Sequence, residues 1–251
     1  MSRRWLLPAL LLAALIGAWQ LAASSGALAD VLDLEPFLVP SPAEIASALW
    51  ENRSLLAENA WVTLQEVLLG ICCALAAGLG FAVALHASET LRNAAYPLLV
   101  ATQAVPIVAI APILIVWFGF GIGPKLAVVA LICFFPITVN TLDGLRSVDP
   151  EAIKMMRTLD ASRWQILHRL EAPTALPYVF SGAKIAVAVA MIAAVFGEWV
   201  AADSGLGHLI LQDNARLETA RLFAAVFLLA AMAVGLFGLL ALAERRVVTW
   251  R

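Results

Sequence analysis

"LFAAVFLLAAMAVGLFGLLALA", Leu222 to Ala243, runs for 22 residues without a charge, a proline or a hydroxyl group. As a helix it extends about 33 Å at 1.5 Å per residue, enough to cross a hydrocarbon core of about 30 Å. The rest of the chain has the same character. Of its 251 residues 63% are hydrophobic and 14% charged, with a mean hydropathy of +0.91. Soluble domains of this length have roughly 45–50% apolar and about 25% charged residues. The composition therefore defines an all-α integral membrane protein. A net charge of −2 offers no basic surface for nucleic acid. Cys72, Cys73 and Cys133 all lie inside apolar runs without metal-ligand or disulfide spacing, which makes them small buried hydrophobes and indicates no metal site.

Five further runs approach span length: Trp5–Ala23, Val67–Ala87, Ala94–Phe118, Leu126–Val139 with an extension toward Leu142, and Phe180–Ala201. Asn140 and Asp143 weaken the fourth span, and Lys184 interrupts the start of the fifth unless its ammonium snorkels to an interface. The first run follows Arg3 and Arg4 as a signal peptide would, and "LAASSGALAD" offers small residues for cleavage. Its length nevertheless exceeds the roughly 7–15 residues of a signal core and favours a first transmembrane helix. About six spans result.

Basic residues set the orientation. With the N-terminus inside, Arg3, Arg4, Arg92, Arg146, Lys154, Arg157, Arg163, Arg169, Lys184, Arg245, Arg246 and Arg251 fall on the cytoplasmic side, and only Arg53, Lys125, Arg216 and Arg221 on the other. Both termini and the segment Arg146–Tyr178 are then cytoplasmic. Outside, Ser24–Asn59 forms a long connection in which Ser41 and Pro42 start a surface helix. In "ADSGLGHLILQDNARLETAR" two turn glycines precede a short amphipathic piece.

The cytoplasmic segment is polar and closely specified. Asp149 is placed to cap a helix that has Pro150 at its first position and Glu151 in its first turn. Ala152, Met156 and Leu159 share one face of it. After a break at Asp160–Ala161, Ser162 and Gln165 stand at capping-box spacing, and Trp164, Leu167 and Leu170 form a second stripe. Pro173 ends this helix and Pro177 begins the approach to the next span. The residues alone allow two roles, a loop packed on its own spans or a docking element for a cytoplasmic partner.

"RTLDASRWQILHRLEAPTALPYVFSG", preceded by the acidic-proline start, resembles the cytoplasmic coupling loop of binding-protein-dependent ABC-importer permeases. "SPAEIASAL", "TLQEVLLG", "QAVPIVAIAPILIVWFGFGIGPK", "FFPITVNTLDGLRSVDPE" and "GEWVAADSGLGHLI" extend the resemblance from Ser41 to Glu244, toward the nitrate, sulfonate and taurine branch. The pattern is most similar to permeases for pyrimidine precursors of thiamine; nitrate, taurine and other sulfonates are the alternatives. The loop departs from the family pattern of Glu-Ala-Ala, three residues and Gly. Lys154, Met155 and Met156 hold the first three positions and Asp160 the glycine. Aspartate tolerates a left-handed backbone at a cost of about 1 kcal/mol.

The resemblance implies a division into residues 1–59 (first span and periplasmic lead-in), 60–244 (permease domain, with the coupling loop at about 146–178) and 245–251 (cytoplasmic tail). It implies a permease homodimer in the bacterial inner membrane, two cytoplasmic ATPase subunits and a periplasmic or lipid-anchored solute-binding protein. The chain holds no GxxxxGK[ST] sequence, so ATP and magnesium belong to the partner ATPase and this chain needs no cofactor of its own. The coupling contact falls on Glu151, Ala152, Lys154, Met155, Met156, Arg157, Leu159, Asp160, Ser162, Arg163, Trp164, Leu167, Arg169 and Pro177. Closure of the ATPase pair moves this loop and tilts the spans between inward- and outward-open states.

Polar residues inside spans face a path or another helix. Thr102, Gln103, Thr138, Asn140 and Glu198 are the translocation-path candidates, with interhelical hydrogen bonding as the alternative at each and an interfacial anchor as a further one for Glu198. Pro106, Pro112 and Pro136 offer bends around a path. A secondary transporter would need ionisable residues central in the spans. A membrane enzyme would need a cluster such as HExxH or GxSxG, and neither sequence occurs.

Overall fold

The computed structural model describes residues 3–250, and among them every regular element is helical. In chain order the helices are α1 (Arg3–Ser24), α2 (Ala27–Leu32), α3 (Pro42–Glu51), α4 (Arg53–Ala87), α5 (Glu89–Ala101), α6 (Ile107–Phe118), α7 (Ile122–Arg146), α8 (Pro150–Thr158), α9 (Arg163–Ile166), α10 (Ala172–Ala201), α11 (Leu206–Arg216) and α12 (Thr219–Val247). Five helical stretches are long and apolar enough to span a bilayer, and a bent pair makes a sixth. The chain forms two compact units, Met1–Val62 with Ser204–Ala230, and Thr63–Asp203 with Ala231–Arg251.

In the first unit, local chemistry sets the surface helix as the sequence predicts. The Ser41 hydroxyl accepts from the Glu44 amide while the Glu44 carboxylate accepts from the Ser41 amide at 2.7 Å, a complete capping box, with Pro42 opening α3. The Ala43 amide donates to Gln20 Oε1 at 2.9 Å, tying α3 to α1. Trp19 stacks on Phe227 at 6.0 Å between ring centroids. Asp213 is fully buried and takes a two-pronged bond from Arg221, and the Gly205 amide donates to Asn59 Oδ1 at 2.8 Å. Of the two glycines expected to turn this loop, only Gly205 does so; Gly207 lies buried inside α11.

In the second unit α7 packs most extensively against α10. Transmembrane helices gain no hydrophobic drive from each other's company in lipid, so small residues that permit close approach decide where they meet. At Gly182 of α10 a Cβ would stand 2.8 Å from the Pro136 carbonyl oxygen of α7. At Gly144 of α7 it would meet Tyr178 and the backbone of Ala175 at 2.7–2.9 Å. Beyond the first of these points Cys133 Sγ lies 3.4 Å from the Ala186 carbonyl oxygen, the small-hydrophobe role with a weak hydrogen bond, whereas Cys72 and Cys73 of α4 are exposed and not buried as expected. At one end of the unit Ala82, Leu85 and Leu142 form a buried cluster covered by Phe81, Ala95 and Tyr96.

Two expectations about proline need correction. The third span is not one continuous helix from Ala94 to Phe118. It breaks after a short 3₁₀ turn at Thr102–Ala104, and the flanking helices meet at 107°. Pro106 excludes the helical conformation from the residue before it, and Val105 is accordingly extended at φ −84°, ψ 120°. Pro112 and Pro136, by contrast, lie inside α6 and α7.

Nor does Pro173 end the second coupling helix. The chain passes from α9 through a π-helical turn at Leu167–Glu171 directly into α10, so that Arg163–Val200 is one helical stretch of 38 residues. A proline ring collides with the carbonyl four residues back in a regular α-helix, and the wider π turn makes room for it. Thr174 Oγ1 donates to the Leu170 carbonyl at 2.7 Å in the same region, a repair typical of proline-containing spans. Pro177 sits inside α10 rather than before it.

Gly182→Ala forces a methyl group onto the backbone of α7, and a loss of about 1–3 kcal/mol is expected from overpacking. Gly235→Ala, where nothing lies within 4 Å, carries no such penalty and gains up to about 1 kcal/mol of helix propensity. Thermal unfolding of the two purified variants in detergent checks the contrast.

Candidate functional site

The loop between α7 and α10 is built as its sequence specifies. Asp149 Oδ1 accepts from the Glu151 amide at 2.9 Å and caps α8. Ser162 and Gln165 form a complete capping box at the start of α9. Between them the chain closes α8 with a Schellman turn: the Ala161 amide donates to the Met156 carbonyl at 3.1 Å, and the Asp160 amide to that of Arg157 at 3.0 Å. Asp160 holds φ 57°, the left-handed conformation that glycine adopts most readily.

Burial then sorts the candidate coupling residues into two faces. Met155, Leu159 and Trp164 are 65–73% exposed, a strip of large apolar side chains on an otherwise charged loop. Ala152, Met156 and Leu167 are half-buried and turn inward. Glu151 and Lys154 are exposed and pair with each other at 2.8 Å. Arg157, Arg163 and Arg169 are exposed and make no ion pair among the described residues, while Pro177 is buried. The Trp164 ring stacks on His168 one turn on, nearly parallel at 6.0 Å.

The path candidates lie at three separate places. Thr102 and Gln103 are exposed at the bend between α5 and α6, where the Thr102 hydroxyl donates to the Leu99 carbonyl at 2.6 Å. Thr138 and Asn140 belong to α7. The Thr138 hydroxyl is buried with no hydrogen-bond partner among the described residues, and Asn140 Nδ2 donates to the Pro136 carbonyl at 2.7 Å. Glu198 of α10 is fully buried rather than an interfacial anchor. It accepts from the Thr63 hydroxyl of α4 at 2.6 Å, the interhelical bond that was its alternative reading.

In the second unit two long-range ion pairs and one histidine–carboxylate contact join helices in a way that no sequence pattern shows. Lys125, assigned to an outer loop, is buried in α7 with its ammonium 2.6 Å from Glu66 Oε1 of α4, itself 1% exposed. Lys184 of α10 pairs with Glu244 of α12 and stands over the Phe237 ring. His86, at the end of α4, meets the buried Glu171 of the π turn at 3.0 Å. A lysine among apolar residues was visible as a cost, but its partner lies about 60 residues away in two of the three cases and no local spacing points to it.

Residues 74–249 match the family described as binding-protein-dependent transport system inner membrane component, and the chain belongs to that family. A probable ABC transporter permease of Haemophilus influenzae is 36% identical over 94% of this chain and 94% of its own. The formylaminopyrimidine transport permease ThiX of Halalkalibacterium halodurans is 35% identical over 86% and 87%. The riboflavin transport permease RibX of Chloroflexus aurantiacus is 39% identical over 85% and 81%. Among solved structures the MetNI methionine ABC transporter, in inward-facing form, shares the fold with a TM-score of 0.65 at 20% identity, covering 79% of this chain and 97% of that one. The chain is the membrane-embedded permease subunit of an ABC importer, and hydrolysis of ATP belongs to a separate subunit.

Lys125→Met leaves Glu66 buried without its cation and is expected to cost about 3–5 kcal/mol. Adding Glu66→Gln removes the stranded charge and recovers part of that loss in a double-mutant cycle of detergent unfolding. Asp160→Gly relieves the left-handed residue and raises stability by up to about 1 kcal/mol in the same assay.

Proposed function

We propose that the segment Pro150–Ala172 is the handle by which a cytoplasmic ATPase moves this permease, and that Met155, Leu159 and Trp164 are its apolar anchors. The observation that carries this reading is their exposure on a charged loop whose backbone is fixed by two caps and a Schellman turn. Nothing in the local structure needs three large apolar side chains there, whereas a partner surface does, since aromatic residues and methionine are enriched at interface centres. Ala152, Met156 and Leu167 then hold the handle to its own body. Glu151, Lys154, Asp160 and Arg169 surround the anchors with charge that favours correct registration. Ser162 acts through the cap and Pro177 through the course of α10.

In this reading the permease works as a homodimer in the bacterial inner membrane, with both termini cytoplasmic. A binding protein delivers the solute from outside. Thr102, Gln103, Thr138, Asn140 and Glu198 stay the candidates for residues along its path. The solute is a thiamine-related pyrimidine. The permease 35% identical over most of both chains carries formylaminopyrimidine, and the 39% identical one riboflavin, both nitrogen heterocycles by name.

Co-expressed with its ATPase, the wild-type chain captures that subunit. Trp164→Glu or Met155→Glu reduces capture at least about tenfold, on the scale of a hot-spot loss. Unchanged capture in both variants sinks the docking assignment. For the solute, binding-protein-driven uptake into proteoliposomes is compared for formylaminopyrimidine, riboflavin and taurine; taurine as the favoured solute overturns the pyrimidine reading.

A further inference from the structure

Beside the coupling helices lies a cavity of about 410 Å³ whose floor the docking role does not use; of the three proposed anchors only Trp164 reaches its wall. Its lining runs from the end of α4, through Val83, His86 and Ala87, to the inner faces of the loop, through Ile153, Ile166 and Leu167. Glu171 closes the wall, and Arg157, Arg163 and Trp164 stand at it from the two helices on either side of the Asp160 turn. The volume falls within the roughly 300–1,000 Å³ of small-molecule sites.

Charge in the cavity is unbalanced. Its single carboxylate, Glu171, is held by His86 at 3.0 Å. The guanidinium groups of Arg157 and Arg163 have no acidic partner among the described residues. Two free guanidiniums over an apolar floor suit a ligand with a phosphate at one end and hydrocarbon at the other. Guanidinium matches phosphate oxygens in a two-pronged geometry, and a bare hydrophilic anion would gain nothing from Val83, Ala87, Ile153 and Leu167. Basic pockets beside the cytoplasmic ends of spans are where anionic headgroups bind.

We infer that this cavity binds the phosphate group of an anionic amphiphile, with Arg157 and Arg163 as its clamps and the wall from Val83 to Leu167 against its apolar part. The cytoplasmic placement rests on the orientation proposed above. It gives Arg157 and Arg163 a ligand of their own and leaves Met155 and Leu159 to the ATPase, with Trp164 at the boundary of the two surfaces. The phosphate comes either from an inner-leaflet phospholipid or from a soluble phosphate ester.

The full chain, purified in detergent, is mixed with equal amounts of dioleoylphosphatidylglycerol and dioleoylphosphatidylcholine, and retained lipid is read by native mass spectrometry. Preferential retention of the anionic lipid is expected. Arg157→Ala with Arg163→Ala weakens it about thirtyfold, the scale of two lost charge contacts. Val83→Trp fills the cavity with both arginines in place and removes the same lipid. In a second arm, millimolar inorganic phosphate is added without lipid. A rise in melting temperature that the double variant abolishes, with no lipid preference, supports the same clamp and identifies a soluble ester as the ligand. Equal retention of both lipids together with no phosphate effect overturns the proposal, as does a Val83→Trp chain that keeps the lipid like wild type. Folding of each variant is read from its own unfolding transition. ATPase capture is scored separately, so the docking assignment and this site can fail independently.

Discussion

The contact between α7 and α10 is the constraint on which the second unit depends. Two apolar helices in lipid have little reason to prefer one another over acyl chains, and what selects this pairing is proximity. Gly144 and Gly182 let backbone approach backbone, so that dispersion acts over many atoms and the Cys133 thiol reaches the carbonyl of Ala186. Because the seam is set by absent side chains, it tolerates no enlargement. The coupling loop is strung between these same two helices, and its geometry is only as fixed as their packing.

Ion pairs complete the arrangement at positions where the membrane makes them expensive. Lys125 with Glu66 and Lys184 with Glu244 each link two helices of the second unit. A buried pair is a weak source of net stability, because desolvation offsets the attraction, but a mispaired helix would strand a charge in hydrocarbon. These pairs therefore penalise wrong packings more than they deepen the right one. The His86–Glu171 contact has the same logic at the loop, where it fixes the π turn against the end of α4.

How much of this could be read from the sequence depended on whether the cause was local. Asp149, Pro150, Ser162 and Gln165 announced their caps because a cap needs only the next three residues. Asp160 was legible as a left-handed position for the same reason. The apolar runs gave the spans by length, since hydrocarbon thickness is a fixed ruler. Pro106 and Pro173 depart from expectation in opposite directions, the first by a sharper break than the bend the sequence offers there and the second by no break at all. One breaks a span that composition made continuous; the other sits in a helix that its presence argued against. The difference lies in the surrounding turns: the chain before Pro106 narrows to 3₁₀ and becomes extended, whereas the chain before Pro173 widens to a π turn and carries on. The sorting of Met155 from Met156, and the burial of Lys125, depend on what packs opposite, which no local pattern records.

The continuity through Pro173 has a mechanical meaning. A handle joined to its span by a flexible loop would dissipate a push as loop motion. Here the backbone ladder that starts beside Trp164 is the one that ends near Glu198, about 57 Å of helix at 1.5 Å per residue. In the proposed docking role, force applied at the loop end is borne by hydrogen bonds in series, interrupted at the π turn and at Pro173 and Pro177, which have no N–H to donate. Such a member would work as a lever, with its irregular hydrogen bonding gathered between Leu167 and Pro177. Under that proposal, the stroke reaching the other end of α10 depends on how stiff that short segment is.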